Sequence, residues 1–382
     1  MTLSLPEFRA HFPSLEHYVH ANNCSRGALS TDVEAALSDY LRSWRDYGSP
    51  WNQWMTVWEE ARAALAALIG AGAEELALTD SASHALGMAV GARPPSAGAV
   101  VIEEHNFPSA FYLADALRRG GYEVRFTADF PGDTPLERTN AALKGAALLV
   151  LAQVSFQSGE VLAVHDYVSA ARAHGCEVAL DGYQALGIVP TDVKTLGVSY
   201  YLSGTHKYLL GTEGFAFLYA APETGQAHAP GWMAAADPHG MDLLHRELSR
   251  DARRFETGTP NVTGAYACRA ALHLLEQVPA GVRLEQVQRC VDIVRRACTE
   301  TGRQVVTPAD SGRYAAMIAV AAPDAQDTAA AMQRSGFLVS ARGPVVRLSF
   351  HAYNTENEAQ RLAAWIAGHP AQFQKQNIQE QV

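Results

Sequence analysis

The sequence predicts a large α/β domain on a mainly parallel sheet with helices on both faces, followed by a smaller α+β domain. Three observations predict it. From residue 75 to residue 220, short apolar runs alternate with segments of helical period, the pattern of strands joined by crossover helices. Beyond Asn261 the pattern changes to two long helical segments, then short strands and a last helix. The length of 382 residues also exceeds what one ordinary core needs. The expected boundaries are 15–261 for the large domain, and 1–14 with 262–382 for the small one.

Taken in order, residues 1–20 carry Pro6, Pro13 and scattered apolar positions, and are expected to pack on the outside of a larger core. Thr31-Asp-Val-Glu34 has capping-box spacing and opens a helix to about 47. After Gly48-Ser-Pro50 a second helix is expected over 52–69, where Trp54, Trp58 and Leu65 at helical spacing read as core packing. Strands are expected at 76–79, 100–103, 124–126, 147–154, 178–181, 198–202 and 215–220, with helices such as 109–120 and 164–175 between them. Right-handed crossovers bring the loops after the strands to one edge, where ligands of open α/β sheets bind. The smaller domain is expected to hold helices over 263–277 and 284–301, strands at 304–307, 317–320 and 345–349, and a helix capped by Thr355 and Glu358. The Gln-rich tail from 372 to 382 lacks a periodic pattern and reads as frayed.

Composition narrows the function. With 48% hydrophobic and 18% charged residues the chain is globular, and a net charge of -10 argues against nucleic acid or an anionic membrane as partner. The longest apolar run, 146–151, is far short of a membrane span, and the N-terminus MTLSLPEFRAHF lacks a signal pattern, so a cytoplasmic location is expected. Five cysteines, odd in number and without CxxC or Cys/His metal spacing, suit free thiols in a reducing compartment and predict no metal site. The sequons at Asn23 and Asn261 are then chance matches.

The chemistry gathers around VSYYLSGTHKYLLGTEGFAFLYA, residues 198–220, which reads strand, turn with one lysine, glycine-rich turn, strand. A lysine held between two buried strands must desolvate its ammonium, which depresses its pKa and suits a nucleophilic or Schiff-base task. Taken alone, Lys207 reads equally as a surface turn lysine. Upstream, Val178-Ala-Leu-Asp181-Gly-Tyr-Gln184 delivers an aspartate at the C-terminal end of a strand. Pyridoxal phosphate needs a lysine to hold it and a carboxylate to keep its ring nitrogen protonated. Asp181 and Lys207, in this order on adjacent strand ends, fit that pair, although Asp at a strand end is also a common helix cap.

Five stretches then agree with one family: Thr79-Asp-Ser-Ala-Ser83, Asp181-Gly-Tyr-Gln184, Thr205-His-Lys207, Thr257-Gly-Thr-Pro-Asn261 and Arg347-Leu-Ser-Phe-His-Ala-Tyr-Asn-Thr355. The chain resembles the class V aminotransferase family of fold-type I pyridoxal-phosphate enzymes, in the branch of cysteine desulfurases, kynureninases and cysteine C–S lyases. The resemblance implies that Lys207 is the Schiff-base lysine, that Asp181 pairs with the ring nitrogen, and that Gln184 bonds the ring's phenolic oxygen. It implies phosphate contacts from Ala82, Ser83, Thr205 and His206, and from Thr259 reaching across a homodimer. Phe107 is the implied aromatic that stacks on the cofactor ring, with His105 as the competing choice. Tyr183 stands where many relatives have alanine, and either packs the opposite ring face or narrows the substrate pocket. Arg347 is the implied clamp on the substrate α-carboxylate, with an edge-strand salt bridge as the plain alternative.

Two departures bear on activity. Desulfurases place a nucleophilic cysteine shortly before the arginine strand, yet Gly336 to Arg347 (GFLVSARGPVVR) contains none. Of the five cysteines, only Cys24 lies in a stretch resembling a substrate-facing loop. The polar residue that relatives present after the fourth strand falls within Ser155-Phe-Gln157. The expectation is therefore a lyase or hydrolase acting on the Cβ side of a small or medium L-amino acid, with transamination as the alternative. A ligand-binding protein without turnover is disfavoured by the presence of both Lys207 and Asp181. A nucleotide-binding oxidoreductase fails for want of a GxGxxG or P-loop pattern.

Overall fold

The computed structural model describes residues 2–241 and 244–375. In chain order the elements are α1 Leu5–Ala10, β1 Val19–His20, α2 Thr31–Tyr47, α3 Trp51–Leu68, β2 Leu76–Thr79, α4 Ala82–Gly91, β3 Ala99–Ile102, α5 Pro108–Arg119, β4 Val124–Phe126, α6 Pro135–Ala142, β5 Ala146–Ala152, α7 Val164–Ala173, β6 Glu177–Asp181, α8 Val193–Leu196, β7 Tyr200–Gly204 and β8 Ala216–Ala220. There follow α9 Val262–Glu276, α10 Ala280–Glu300, β9 Met317–Ala321, α11 Ala325–Arg334, β10 Phe337–Leu338, β11 Ser340–Arg342, β12 Val345–Ser349 and α12 Glu356–Gly368.

A seven-stranded sheet has the order β2-β8-β7-β6-β5-β3-β4. Its strands are parallel except β8, which runs antiparallel to both neighbours. The reason is length, because the segment between β7 and β8 contains no helix to make a crossover, and the chain returns as a hairpin. Both faces are buried and the apolar residues alternate between two cores. Leu149, Leu151 and Leu180 face one, and Leu148, Val150 and Ala179 the other. The C-terminal ends of β2, β3, β5, β6 and β7 therefore share one edge.

The three-stranded antiparallel sheet β11-β12-β9 carries a third core together with α10, α11 and α12. Helix α9 packs against α2 and α3 in the first core. The α/β architecture and the mainly parallel sheet are as the sequence predicts, with element ends differing by a few residues. The differences are local. The cap of α2 is Ser30, whose hydroxyl accepts from Val33 N–H, because the Thr31 N–H is already bound to the His11 carbonyl. Residues 304–307 make a single bridge, Val305 to Val320, instead of a strand. Helix α11 and the short strands β10 and β11 went unforeseen.

The N-terminal segment departs most from expectation. Phe8 and Phe12 are buried, 0% and 2% exposed, and stack around Tyr353. β1 then pairs in parallel with β10, and Asn22 bridges to Ser349. This segment ties the two sheets together, so its apolar positions are core. At the other end, Gln374 and Lys375 pair with Gln304 and Arg303, while 376–382 of the expected frayed tail lie outside the described residues. No helix among the described residues is long and apolar enough to cross a membrane.

Candidate active site

The loops at the shared sheet edge, with β11 and β12 above them, enclose a cavity of about 400 Å³. Lys207 enters it from the β7–β8 connection. Its side chain is 9% exposed, with Nζ 3.9 Å from the Tyr183 ring centroid and 5.7 Å from that of Phe107. Burial lowers its pKa to about 8 against the pull of Asp181, and the fields of Arg347 and Arg342 add to the fall. Desolvation wins over the nearby carboxylate, so a useful fraction of the amine is neutral near pH 7. Gly204 makes this geometry possible, since a Cβ there would lie 2.3 Å from Cζ and from the hydroxyl of Tyr183.

Asp181 closes β6 at the cavity wall, and its Oδ1 accepts the Tyr183 N–H at 2.8 Å. Burial raises its pKa, while that N–H and Lys207 draw it back. A carboxylate so placed favours a protonated partner inside the cavity. Tyr183 lines the cavity and its hydroxyl meets His206 Nδ1 at 2.8 Å. Burial, then Lys207 and Arg26, push the His206 pKa down to about 4, so the ring is neutral at ordinary pH.

Gln184 also lines the cavity. Its Nε2 donates to the Cys24 carbonyl at 3.0 Å, while Oε1 is buried without a partner among the described residues. An orphaned amide oxygen there calls for a ligand donor. Ser81, Ala82 and Ser83 line the cavity at the start of α4, whose cap is Ser81 accepting from His84 N–H. The helix begins at Ala82, and its first-turn N–H groups lack intrahelical partners, a seat for an anion. The Ser83 hydroxyl donates to Ser109.

Phe107 borders the cavity, edge-on to Phe156 with centroids 5.1 Å apart. His105 is drawn the other way, its Nδ1 2.5 Å from the buried Glu103, and does not line the cavity. Arg347 is 2% exposed on β12, the central strand of its sheet, which disposes of the edge-strand alternative. Its Nε and Nη2 donate to Ser340 Oγ and its Nη1 to the Phe156 carbonyl at 2.5 Å, and it pairs with no carboxylate among the described residues.

Two named residues stand elsewhere. Thr205 is buried off the cavity, its hydroxyl spent on the carbonyls of Thr212 and Phe215. Thr259 is exposed and borders a separate surface groove with Trp51, Met55, Trp232 and Met241. Sequence reasoning missed Ser340, Glu213 and Arg342, all close to the cavity or on it. The only available signal for Arg342 was its spacing from Arg347 across a Gly-Pro turn. Cys24, flagged by its neighbours, does line the cavity.

Lysine, buried carboxylate, orphaned amide and a helix N-terminus on one cavity fit pyridoxal phosphate. Among solved structures, the cysteine desulfurase of Thermococcus onnurineus NA1 superposes with a TM-score of 0.85 at 22% identity, covering 96% of this chain and 98% of that one. In sequence the chain is 32% identical to the uncharacterized aminotransferase YcbU of Bacillus subtilis over 95% of this chain and 98% of the relative. It is 30% identical to a kynureninase of Deinococcus radiodurans over 94% and 92% of the two chains. With the family model "Aminotransferase class-V" matching residues 31–362, the chain belongs to the class V aminotransferase family and is a pyridoxal-phosphate-dependent enzyme.

Proposed function

We propose that the enzyme acts on the Cβ side of a small or medium L-amino acid, as a lyase or hydrolase without a persulfide cysteine. The observation that carries the exclusion of a persulfide route is the turn between β11 and β12. It consists of Gly343 and Pro344 alone, so no mobile loop carries a thiol to the substrate at this place. Cys176, Cys268, Cys290 and Cys298 are buried away from the cavity, and Cys24 is 2% exposed and held against Ser340.

Bound in the cavity, pyridoxal phosphate supplies an electron sink for charge developing at the substrate Cα. Lys207 Nζ would hold the cofactor, and its lowered pKa suits the amine to move the substrate Cα proton. Asp181 would hold the ring nitrogen proton, and the orphaned Oε1 of Gln184 would accept from the phenolic hydroxyl. Ala82, Ser83 and the α4 N-terminus seat the phosphate, with His206 beside Lys207 as a neutral partner. Phe107 would border the ring, and Arg347 would clamp the substrate α-carboxylate and so orient its Cα. Thr205, its hydroxyl already spent, takes no part.

The Bacillus relative's name favours transamination as the second reading. Incubating the holoenzyme with a panel of L-amino acids, and scoring pyruvate, ammonia and sulfide against keto acid formed only with an acceptor, separates the two. Products requiring a keto-acid acceptor overturn the lyase reading.

The exposed groove holding Thr259, with Trp51, Trp232 and Met241 along it, supports a homodimer in which Thr259 reaches the partner's phosphate site. Sedimentation of an active, cofactor-bound monomer overturns it. Thr259→Ala is expected to weaken cofactor retention more than folding, by about 1.5–3 kcal/mol for a lost charge-assisted hydrogen bond.

A further inference from the structure

Arg347 is not the only guanidinium on the cavity. Arg342 also lines it, from the last position of β11 before the two-residue turn. Across the hairpin Ser340 stands opposite Arg347, and Arg342 opposite Val345. Residues two apart on a strand, and residues directly opposite each other, share a face, so Arg342 and Arg347 project to the same side. The turn residue Gly343, at φ +53°, lets the chain reverse at once and keeps Arg342 at the cavity's rim.

The two arginines differ in what they touch. Arg347 is buried and anchored through Ser340 and the Phe156 carbonyl. Arg342 is exposed, and among the described residues its one side-chain hydrogen bond runs from Nη1 to the Ala341 carbonyl at 3.0 Å, with no carboxylate partner. The acids that line the same cavity are engaged. Glu213 pairs with Arg26, Asp80 with His84 at 2.7 Å, and Asp181 faces Lys207. Two unmatched guanidinium groups thus share one cavity in a chain whose net charge is -10. Arg342 is also near enough to Lys207 for its field to help lower that lysine's pKa. A rim arginine serving only solubility has no reason to turn toward a cavity that already holds a cation and a lysine, because like charges there repel.

We infer that Arg342 selects L-amino acids whose side chain ends in a second carboxylate or a comparable oxyanion, while Arg347 takes the α-carboxylate. The inference rests on the amino-acid reading above and deepens it from small or medium substrates to acidic ones. The planar fork of Arg342 receives the distal oxyanion by two parallel hydrogen bonds, and a neutral side chain of equal size leaves that fork in water.

The test titrates the holoenzyme with L-aspartate, L-glutamate, their amides L-asparagine and L-glutamine, and L-alanine, following the cofactor's visible absorbance and the heat of binding. At least one acid is expected to bind about tenfold or more tightly than its own amide, with a preference that falls as salt rises. Arg342→Ala should bring the ratio of acid to amide affinity close to one, and Arg342→Lys should restore part of the preference. Equal affinity for acid and amide in the wild type overturns the inference while leaving the amino-acid reading standing, and so does an equal loss for both in Arg342→Ala. A holoenzyme whose spectrum no amino acid perturbs overturns both.

Discussion

Ser340 stands directly opposite Arg347 across the β11–β12 pair, and its hydroxyl accepts from Nε at 3.2 Å and from Nη2 at 2.9 Å. The same oxygen lies 3.4 Å from Cys24 Sγ. A buried guanidinium without a carboxylate partner is thereby aimed by one neutral side chain and one backbone carbonyl. Its charge remains available to an incoming anion, which a built-in salt bridge would have spent.

Arg347→Ala is accordingly expected to lower kcat/KM about 100-fold or more, roughly 3 kcal/mol of lost carboxylate binding and alignment. Ser340→Ala should cost less, about tenfold, because the Phe156 carbonyl still holds Nη1. Steady-state kinetics on whichever amino acid the product panel selects measures both. Equal losses would show that Ser340 does more than aim the guanidinium.

Lys207 makes a pH-dependent prediction. Its pKa of about 8 means that the neutral amine gains population as pH rises through that value. Cofactor capture by the apoenzyme should therefore speed up about fifty-fold between pH 6 and pH 8 and level off above it. The same shift penalises the cofactor-free fold below pH 8, a penalty relieved as pH rises from about 8 to 10.5, where the unfolded chain holds the extra proton. Asp181→Asn removes a charge that holds the proton on Lys207, so the midpoint of capture moves down. Stopped-flow absorbance reads the profile, and Lys207→Ala should lose the yellow band while binding cofactor loosely.

Cys24 tests the absence of persulfide chemistry. Cys24→Ser places an oxygen where Sγ meets Ser340 and is expected to leave turnover within about tenfold of wild type. Abolished activity, together with a persulfide detected by mass spectrometry on the wild type, would make the enzyme a desulfurase with a relocated nucleophile.

The buried pair Arg62 and Glu256 carries a stability prediction. Arg62 is 0% exposed, with Nη1 2.5 Å from Glu256 Oε1 and 2.8 Å from the Leu76 carbonyl, and the same carboxylate oxygen accepts Leu78 N–H. Together they fasten the edge strand β2, which leads into α4, to the segment just before Thr257. Arg62→Ala should destabilise by about 3–5 kcal/mol, since it strands a buried carboxylate. Pairing Arg62→Met with Glu256→Gln should recover part of that loss in denaturant unfolding.

The sequence by itself determined the strand and helix alternation, the side of the sheet where the site lies, and the Asp181 and Lys207 pair. These are local signals, since apolar period, turn residues and strand ends are written in neighbouring positions. The tertiary structure alone decided which motif residues face the cavity. Thr205 sits beside His206 in sequence, yet a buried hydroxyl must find an acceptor, and the carbonyls of Thr212 and Phe215 supply it from the returning strand. His105 and Phe107 are two residues apart, and Glu103, buried at the end of β3, draws the imidazole away and leaves the cavity to the phenyl ring. Phe8 and Phe12 look peripheral in a segment broken by prolines, and only the meeting of the two sheets makes a place for them in the core. Arg342 carries no motif at all. Its register with Arg347 is local to one hairpin, but which face of that hairpin meets the cavity is settled only when the small sheet docks on the edge of the large one.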